Sequence, residues 1–499
     1  MAYDYSDIKV SGVDMTQIHH LKIIEKIGEH SILELTGMIK ETKKGSLPDI
    51  LAVNEKQEVS VYLKNDKEKK KVLFTGILKN VKVQSQNGFM MATITVISAT
   101  VKMDQKKRSR TFQDSSMTFH QLIKKVVSAY QDCDCIIEIP DAPIQDMIVQ
   151  YEETDWMFIK RLVSQFGEGL FVISNQKGIH FYAGVPEIKL KESKVHNATF
   201  EQDLDGYYRR VAESKKNLPK ASDYIIYHGT TSDVLQIGSC ITHNRQKFYV
   251  REVRIEVKKS LLQIEFSAQP KAGIRIRPID PMQIVGTALG GTIIQTQKDK
   301  VKVHFDIDEK QDIASAKFIP YSTMSASSDG SGWYCMPEIG DAVRVSFPTK
   351  YTKDVIALSS VSEPSPKSAQ KNVANHNNTN NTNLSQVAQN TSGGGTDRMG
   401  DPNVVFLSTI HGKEFKLTPN EAVLTCAGGA AMLSMNNDGD IVLSSTKSIE
   451  VNADETIEIK SEGDLILNSE EYIALSCDQG GRVIIDNNVT LRGTEVKVD

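Results

Sequence analysis

An apolar residue recurs every eight positions over about the last sixty residues of the chain. A second apolar residue follows two positions after each of these, and turn-forming or charged residues fill the rest of the interval. Side chains two apart lie on the same side of a strand, so each octad predicts a short strand with an inward pair, followed by a corner. A slip of two residues at 480–481 interrupts the repeat. The predicted inward residues are Ile441, Leu443, Ile449, Val451, Ile457, Ile459, Leu465, Leu467, Ile473, Leu475, Val483, Ile485 and Leu491.

One octad offers a single face, so it cannot enclose a core by itself. Three successive octads of one chain would build one coil, whereas three chains wound together would each supply one face at every level. About seven octads would give the single-chain coil barely two turns and would leave its strand edges open. The pattern therefore favours a homotrimer and predicts a trimeric β-helical spike at residues 401–499. At one strand spacing per octad, roughly 4.8 Å, the shaft would be about 35 Å long.

The charge of the chain is unevenly distributed. Residues 433–499 contain 14 acidic and 5 basic residues, although the whole chain has a net charge of only −4. Because a nucleic-acid-binding tail would be basic, we expect no nucleic-acid partner. The six cysteines lack both Cys-x-x-Cys spacing and histidines at metal-ligand spacing. This predicts free thiols in a reducing cytoplasm and no metal site.

The sequence also lacks the usual signals for membrane insertion. The N-terminus begins with acidic residues and has no apolar stretch of the kind found in secretory signal peptides. No uninterrupted apolar run is long enough for a transmembrane helix. We therefore expect any export to follow another route.

The first part of the chain predicts a mainly β protein. Short runs that alternate apolar with polar residues fill residues 1–110, and Asn87-Gly88 between two such runs predicts a hairpin turn. The same alternation returns in residues 186–275. We interpret these two segments as β-barrels.

A helical pattern separates the two predicted barrels, in residues 111–185. Apolar spacings of three and four indicate one helix that begins near Phe119 and a second that follows an N-cap at Thr154. Gly167 marks the predicted end of the second helix, because glycine readily takes the left-handed conformation that often ends helices. This segment is predicted to be an α/β insertion between the two barrels.

Two further segments precede the predicted spike. Residues 282–361 read as a compact β-unit. Residues 362–400 are of low complexity, rich in asparagine and threonine and then in glycine. Such a segment cannot bury enough apolar surface to fold, so it predicts a linker.

Four segments resemble the VgrG-type spike and contractile phage tail hub-spike family. Residues 286–305 and 332–347 are similar to its OB-fold domain, residues 151–167 to a helix of its hub, and residues 408–417 to the entry into its β-helix. The resemblance extends in order along nearly the whole chain. The residues that carry the OB collar motif are Gly332, Trp333, Pro337, Gly340, Asp341, Val343 and Phe347.

This chain departs from the family pattern in small ways, since the family often has glutamate at the position of Ala342 and a glycine near Ser359. Neither position would carry chemistry, so the departures concern local packing alone.

The resemblance implies a structural hub and membrane-puncturing spike at the tip of the tail tube of a contractile injection system. In that family three hub chains with pseudo-sixfold symmetry meet a hexameric tail-tube protein. The OB domain forms a collar, and the β-helix forms the needle. Other implied partners are baseplate proteins, a PAAR-type tip protein or cargo at the C-terminal end, and the membrane of the target cell. Such a protein is assembled in the bacterial cytoplasm as part of a phage-tail-like particle and is delivered to the extracellular space or the target cell envelope.

The sequence shows no arrangement of residues typical of catalysis or cofactor binding. Glu152-Glu153 and Glu470-Glu471 are acids adjacent in sequence, without a visible pocket. His19-His20 and His411 lack acidic or cysteine partners at ligand spacing. We therefore expect no enzyme activity, no cofactor and no metal.

One alternative reading is a trimeric tailspike that binds or degrades polysaccharide or cell wall. Those proteins usually carry aromatic-lined grooves and acidic pairs. The predicted needle has one aromatic residue, Tyr472, which disfavours glycan binding.

Overall fold

A computed structural model divides the chain into two compact units, residues 1–363 and residues 364–499. It describes residues 3–40, 49–51, 57–64, 70–86, 89–189, 195–213, 219–322, 336–360, 403–409, 411–471, 473–476 and 482–485. The fold is mainly β, which confirms the predicted class. Within the described residues, no helix has the length and apolar character needed to cross a membrane.

Strands dominate the first unit. Its helices are α1 (Phe119–Val127), α2 (Asp155–Ser164) and α3 (Leu204–Glu213). Its strands are β1 (Ile8–Ser11), β2 (Gln17–Lys26), β3 (Ile32–Met38), β4 (Glu58–Lys64), β5 (Lys70–Gln86), β6 (Phe89–Ile97), β7 (Lys107–Phe112), β8 (Cys133–Ile137), β9 (Ile148–Thr154), β10 (Leu170–Val172), β11 (Ile179–Ala183), β12 (Ile188–Lys189), β13 (Val195–Gln202), β14 (Ile225–Thr231), β15 (Ser239–His243), β16 (Gln246–Lys258), β17 (Leu261–Gln269), β18 (Ala288–Gln297), β19 (Lys300–Phe305), β20 (Phe318–Pro320), β21 (Ala342–Ser346) and β22 (Ile356–Ser360).

Two separate parts of the chain form one 12-stranded hub sheet. Its order is β1-β4-β5-β6-β3-β2-β16-β17-β14-β13, with β15 beside β16 and β12 beside β15. The antiparallel pair β2 and β16 joins the two parts, with Ile23 opposite Ile255. In β4, Val59, Val61 and Leu63 are buried, because alternate side chains of a strand point to the same face. The two segments predicted as hub barrels thus share one sheet and one apolar core.

The predicted helical insertion has its own core. Helices α1 and α2 pack with the sheet β10-β11-β8 around Trp156, Phe158 and Phe181. Both helices begin at threonine N-caps, since the Thr118 hydroxyl accepts the N–H of Gln121 and the Thr154 hydroxyl accepts that of Met157. These caps satisfy backbone donors that the first helical turn leaves open.

A five-stranded antiparallel sheet follows the hub, in the order β20-β19-β18-β21-β22. Its core includes Val303, Phe305 and Val345, and two side chains from the insertion, Met147 and Val149, join this core. Strand β9 of the insertion therefore contributes directly to the packing of the predicted collar.

Helix α3 corrects one expectation. Residues 186–275 were predicted to be β throughout, but α3 lies between β13 and β14. Its apolar residues Leu204, Tyr207, Tyr208 and Val211 have helical spacing, and none of the residues of α3 is buried. The pattern is short and lies between strong strand signals, so β-alternation masks it.

The second unit begins with an antiparallel meander. Its strands are β23 (Val405–Ser408), β24 (Glu414–Leu417), β25 (Glu421–Cys426), β26 (Ala431–Asn436) and β27 (Ile441–Ser445), paired in that order, followed by the pair β28 (Ile473–Ser476) and β29 (Arg482–Ile485). Residues 446–471 belong to no strand.

The described octads thus differ in backbone structure. Those that begin at Ile441, Ile473 and Val483 lie in strands, whereas those that begin at Ile449, Ile457 and Leu465 do not. A strand forms only beside a neighbour that completes its backbone hydrogen bonds, and the described part of a single chain supplies none to these three octads.

Several predicted features lie outside the described residues. They are Asn87-Gly88, the linker at 362–400, Gly332, Trp333, Tyr472, the slip at 480–481 and Leu491. The strands on either side of Asn87-Gly88 pair antiparallel, with Gln86 opposite Phe89.

Candidate functional site

The acidic pairs singled out in the sequence have different surroundings. The Glu153 carboxylate accepts hydrogen bonds from the Arg161 guanidinium, with Nη2 2.9 Å from Oε2, and the same Nη2 donates to the carbonyl of Val149. Glu152 is exposed and lies beside the Ser109 hydroxyl. Glu470 and Glu471 are exposed. Glu153 therefore joins α2 to β9, as a packing contact.

The histidines considered as possible metal ligands do not form a cluster. His19 and His20 follow each other on β2, and His411 is exposed before β24. Across the described part of the chain, no group of three or more histidine, cysteine, aspartate or glutamate residues could hold a metal ion.

Asp155, the first residue of α2, is a densely bonded carboxylate that the sequence analysis did not single out. It is fully buried. It accepts hydrogen bonds from Arg110 Nη2 at 2.6 Å, Tyr130 Oη at 2.7 Å and Gln150 Nε2 at 3.0 Å, and it lies 3.0 Å from Arg108 Nε. Burial, together with the bond to Asp155, raises the pKa of Tyr130 to about 12. This cluster fixes α2 to β7 and β9.

A second polar contact joins the insertion to the predicted collar. The backbone N–H of Thr111 donates to Asp308 Oδ1 at 2.7 Å, and the Thr111 hydroxyl donates to the other carboxylate oxygen. The Gln113 amide donates to the carbonyl of Val303 at 3.0 Å. Burial raises the pKa of Asp308. Insertion and collar are thus held together by buried hydrogen bonds as well as by their shared apolar core.

The described residues of the collar motif serve packing and turn formation. Val343 and Phe347 are buried in the collar core. Gly340 has a φ of +102° and donates its N–H to the carbonyl of Ile293 at 2.8 Å, while Asp341 accepts the N–H of Glu338. Pro337 is half-buried beside this turn.

The meander of the second unit carries an apolar face. Paired residues of neighbouring strands project to the same side of a sheet, and the registers place ten apolar residues together. Most are exposed in the single chain, with Val405 62% and Ile441 71% exposed. Monomeric proteins rarely leave such a continuous patch in water. The face consists of Val405, Leu407, Phe415, Leu417, Ala422, Leu424, Leu433, Met435, Ile441 and Leu443.

The octads continue this exposure toward the C-terminus. The six predicted inward residues between 449 and 467 are all more than half exposed, from 51% for Ile457 to 69% for Ile459. Ile473 is half-buried and Leu475 is exposed. The side chains of Val483 and Ile485 lie outside the described residues. The described residues of one chain thus leave the apolar surface of the second unit largely uncovered.

Comparison with known proteins supports a tail-hub role. Residues 29–181 match the model of the phage tail baseplate hub family. The match confirms the predicted resemblance to contractile-tail hub proteins over the residues that it spans, and it indicates a structural role in a tail baseplate hub. No curated protein matches the sequence.

Solved structures with similar folds come from secretion systems and phage tails. A type VI secretion component of E. coli, described as similar to bacteriophage T4 tail proteins, is 14% identical over 71% of this chain and 99% of that chain, with a TM-score of 0.49. The half-lidded Francisella PdpA-VgrG complex is 10% identical over 88% of this chain and 87% of that chain, with a TM-score of 0.48. A prophage tail protein of Shewanella oneidensis is 10% identical over 54% of this chain and 98% of that chain, with a TM-score of 0.41.

Proposed function

We propose that this protein is the hub and membrane-puncturing spike of a contractile injection system, either a phage tail, a bacteriocin or a type VI-like secretion system. The family match over residues 29–181 supports the hub assignment. The spike assignment is supported by the apolar face of the second unit, which a single chain leaves in water. The protein acts through assembly, without catalysis.

The occupant of the apolar face is a pair of further copies of the same chain. Each copy brings one flat apolar sheet from the meander, and three such sheets close a prism whose interior is dry. Full burial of one large apolar side chain contributes about 1.5–3 kcal/mol, so covering ten positions per chain strongly favours association. Past the meander, the octads of the three chains supply one another with the strand neighbours that a single chain lacks.

A closed three-chain shaft suits penetration of an envelope. Its apolar residues face inward and its acidic residues face water, so its outer surface gains little from adhering to anionic lipids. Intertwined chains cannot separate one at a time without exposing the whole core. The resistance of such a shaft to unfolding is therefore largely kinetic.

The remaining partners follow from this arrangement. The three hub regions would meet the hexameric tail tube and the baseplate proteins, while the C-terminal end of the shaft would take a PAAR-type tip protein or cargo. The particle would be assembled in the bacterial cytoplasm and act at the envelope of a target cell.

Multi-angle light scattering of the intact chain tests the proposal directly. We expect a mass three times that of the 55.4 kDa chain. A monomer would refute the three-chain spike. Incubation of the purified protein with cell-wall or capsular polysaccharide is the second arm, and release of fragments would favour the polysaccharide-degrading alternative.

A further inference from the structure

A carboxyl group lies inside the apolar core of the hub sheet. Glu25 is on β2 and is only 4% exposed, and it follows Leu21 and Ile23 on the same buried face of that strand. Its register partner on β16 is the buried Val253. A charged carboxylate in such surroundings is costly unless basic groups or several donors surround it.

The contacts of Glu25 join three separate parts of the hub. The hydroxyl of Ser174, in the turn after β10, donates to Glu25 Oε1. The backbone N–H of Ile237, in the segment before β15, also contacts the carboxyl. The second oxygen, Oε2, is buried and has no hydrogen-bond partner among the described residues. Strand β2, the β10–β11 turn and the segment before β15 therefore meet at one incompletely satisfied acid.

Charged and titratable side chains also lie on the elements that surround Glu25. Lys26 is adjacent in the strand, so it projects to the opposite face, where it pairs with Glu252. Lys177 of the turn pairs with Glu58 of β4. The other charged or titratable residues on the packed elements are Asp233 before β15, His180 on β11, which contacts the carbonyl of Lys177, and Arg251 and Arg254 on β16, which contact Gln269 and Glu252.

We propose that Glu25 is an acid-dependent latch of the hub: protonated, it keeps the three segments closed around it, and ionised, it favours their opening. Neutralisation removes the cost of a buried charge and leaves both hydrogen bonds in place. Ionisation places a carboxylate with one bare oxygen in an apolar core, which favours opening toward water.

The pH dependence has a definite sign. Burial raises the pKa of Glu25 from 4.5 to about 7. The closed hub therefore binds a proton that the opened segment releases, so the stability contributed by Glu25 is fully present below pH 4.5 and is lost as the pH rises through about 7.

Hydrogen exchange of the intact protein, read by mass spectrometry and corrected for the intrinsic pH dependence of exchange, tests this latch. In segments 170–176 and 233–240 we expect the opening constant to rise by up to about tenfold per pH unit between roughly pH 5 and 7, and to level off above that. Glu25→Gln should abolish this rise. The matched control Glu252→Gln, a partly exposed carboxylate in the same sheet, should keep the wild-type profile.

The proposal would be overturned if the opening constant of the wild-type protein did not change with pH. It would also be overturned if Glu25→Gln showed the same pH dependence as the wild-type protein. Because a core substitution can impair folding, Ser174→Ala provides a second arm. The Ser174 hydroxyl favours the ionised form of Glu25, so its removal should move the midpoint of the profile to higher pH. Weakened packing alone would raise exchange at every pH and leave the midpoint in place, which would also count against the latch.

Discussion

The two units of the chain differ in where their apolar side chains lie. In the first unit the hub, insertion and collar each bury an apolar core within one chain. In the second unit Val423 is the only apolar side chain that is buried among the described residues, while the meander and the octads leave theirs largely exposed. We therefore expect the first unit to fold before assembly and the second to fold only on assembly.

This difference separates the roles of the two units. In the proposed assembly, a hub with its own internal core would present fixed surfaces to a tube and a baseplate whatever the state of its neighbours. A shaft whose core exists only between copies would form once and then come apart with difficulty. The boundary falls between the collar and the meander, so damage to the shaft should leave the hub intact.

The largest expected effect is at the shaft interior. Ile457→Asp would place three charges in a dry core and should abolish the shaft, because buried unpaired charges are not tolerated. Electron microscopy should show hubs without needles, and limited proteolysis should digest the second unit. Thr456→Asp, the same change one position earlier on the outward face, should leave the needle intact. If Ile457→Asp formed a normal needle, the proposal that the second unit has its core between copies would be wrong.

A comparable test within the first unit concerns Asp155. Asp155→Ala leaves Arg108 and Arg110 without their buried partner, and we expect a loss of about 3–5 kcal/mol in the stability of the insertion. Thermal denaturation should show an earlier hub transition while the shaft remains resistant. Asp205→Ala, which removes an exposed partner of Arg209, is the matched control and should change little. Equal effects of both substitutions would contradict the structural role of the buried cluster.

A smaller effect is expected where insertion meets collar. Thr111→Val removes the hydroxyl that donates to Asp308 and leaves a half-buried carboxylate with one donor fewer, at a cost of about 1–2 kcal/mol. Thr111→Ser keeps the hydroxyl and should retain most of the stability. Urea denaturation of the two variants distinguishes this hydrogen bond from a methyl contact, since the valine variant loses the hydroxyl and the serine variant loses only the methyl group.

The smallest effect is expected on the outer surface of the shaft. Lys460 and Glu458 form an ion pair with a separation of 2.5 Å, but both side chains are largely exposed. Water and salt screen such a pair, so Lys460→Gln should leave the thermal midpoint of the spike unchanged within error. A large drop would mean that the outer face contributes to holding the shaft together.

Much of the secondary structure could be predicted from local pattern. The N-cap at Thr154 and the left-handed Gly167 at the end of α2 depend on neighbours in sequence, and the structure confirms them. Helix α3 was missed because its short apolar pattern lies between stronger strand signals. Nothing in the sequence near Asp155 or Glu25 indicates their partners, because those partners are brought together by other strands.

The sequence by itself determined the spacing of the octads, and with it the need for apolar faces from outside one chain. A period of eight is a local property, and it limits how a chain can close a core. The tertiary structure alone decided that two distant segments share one hub sheet, that Met147 and Val149 belong to the collar core, and that Glu25 meets Ser174 and Ile237. Such contacts depend on how strands far apart in sequence pair and pack, and no short-range pattern encodes that choice.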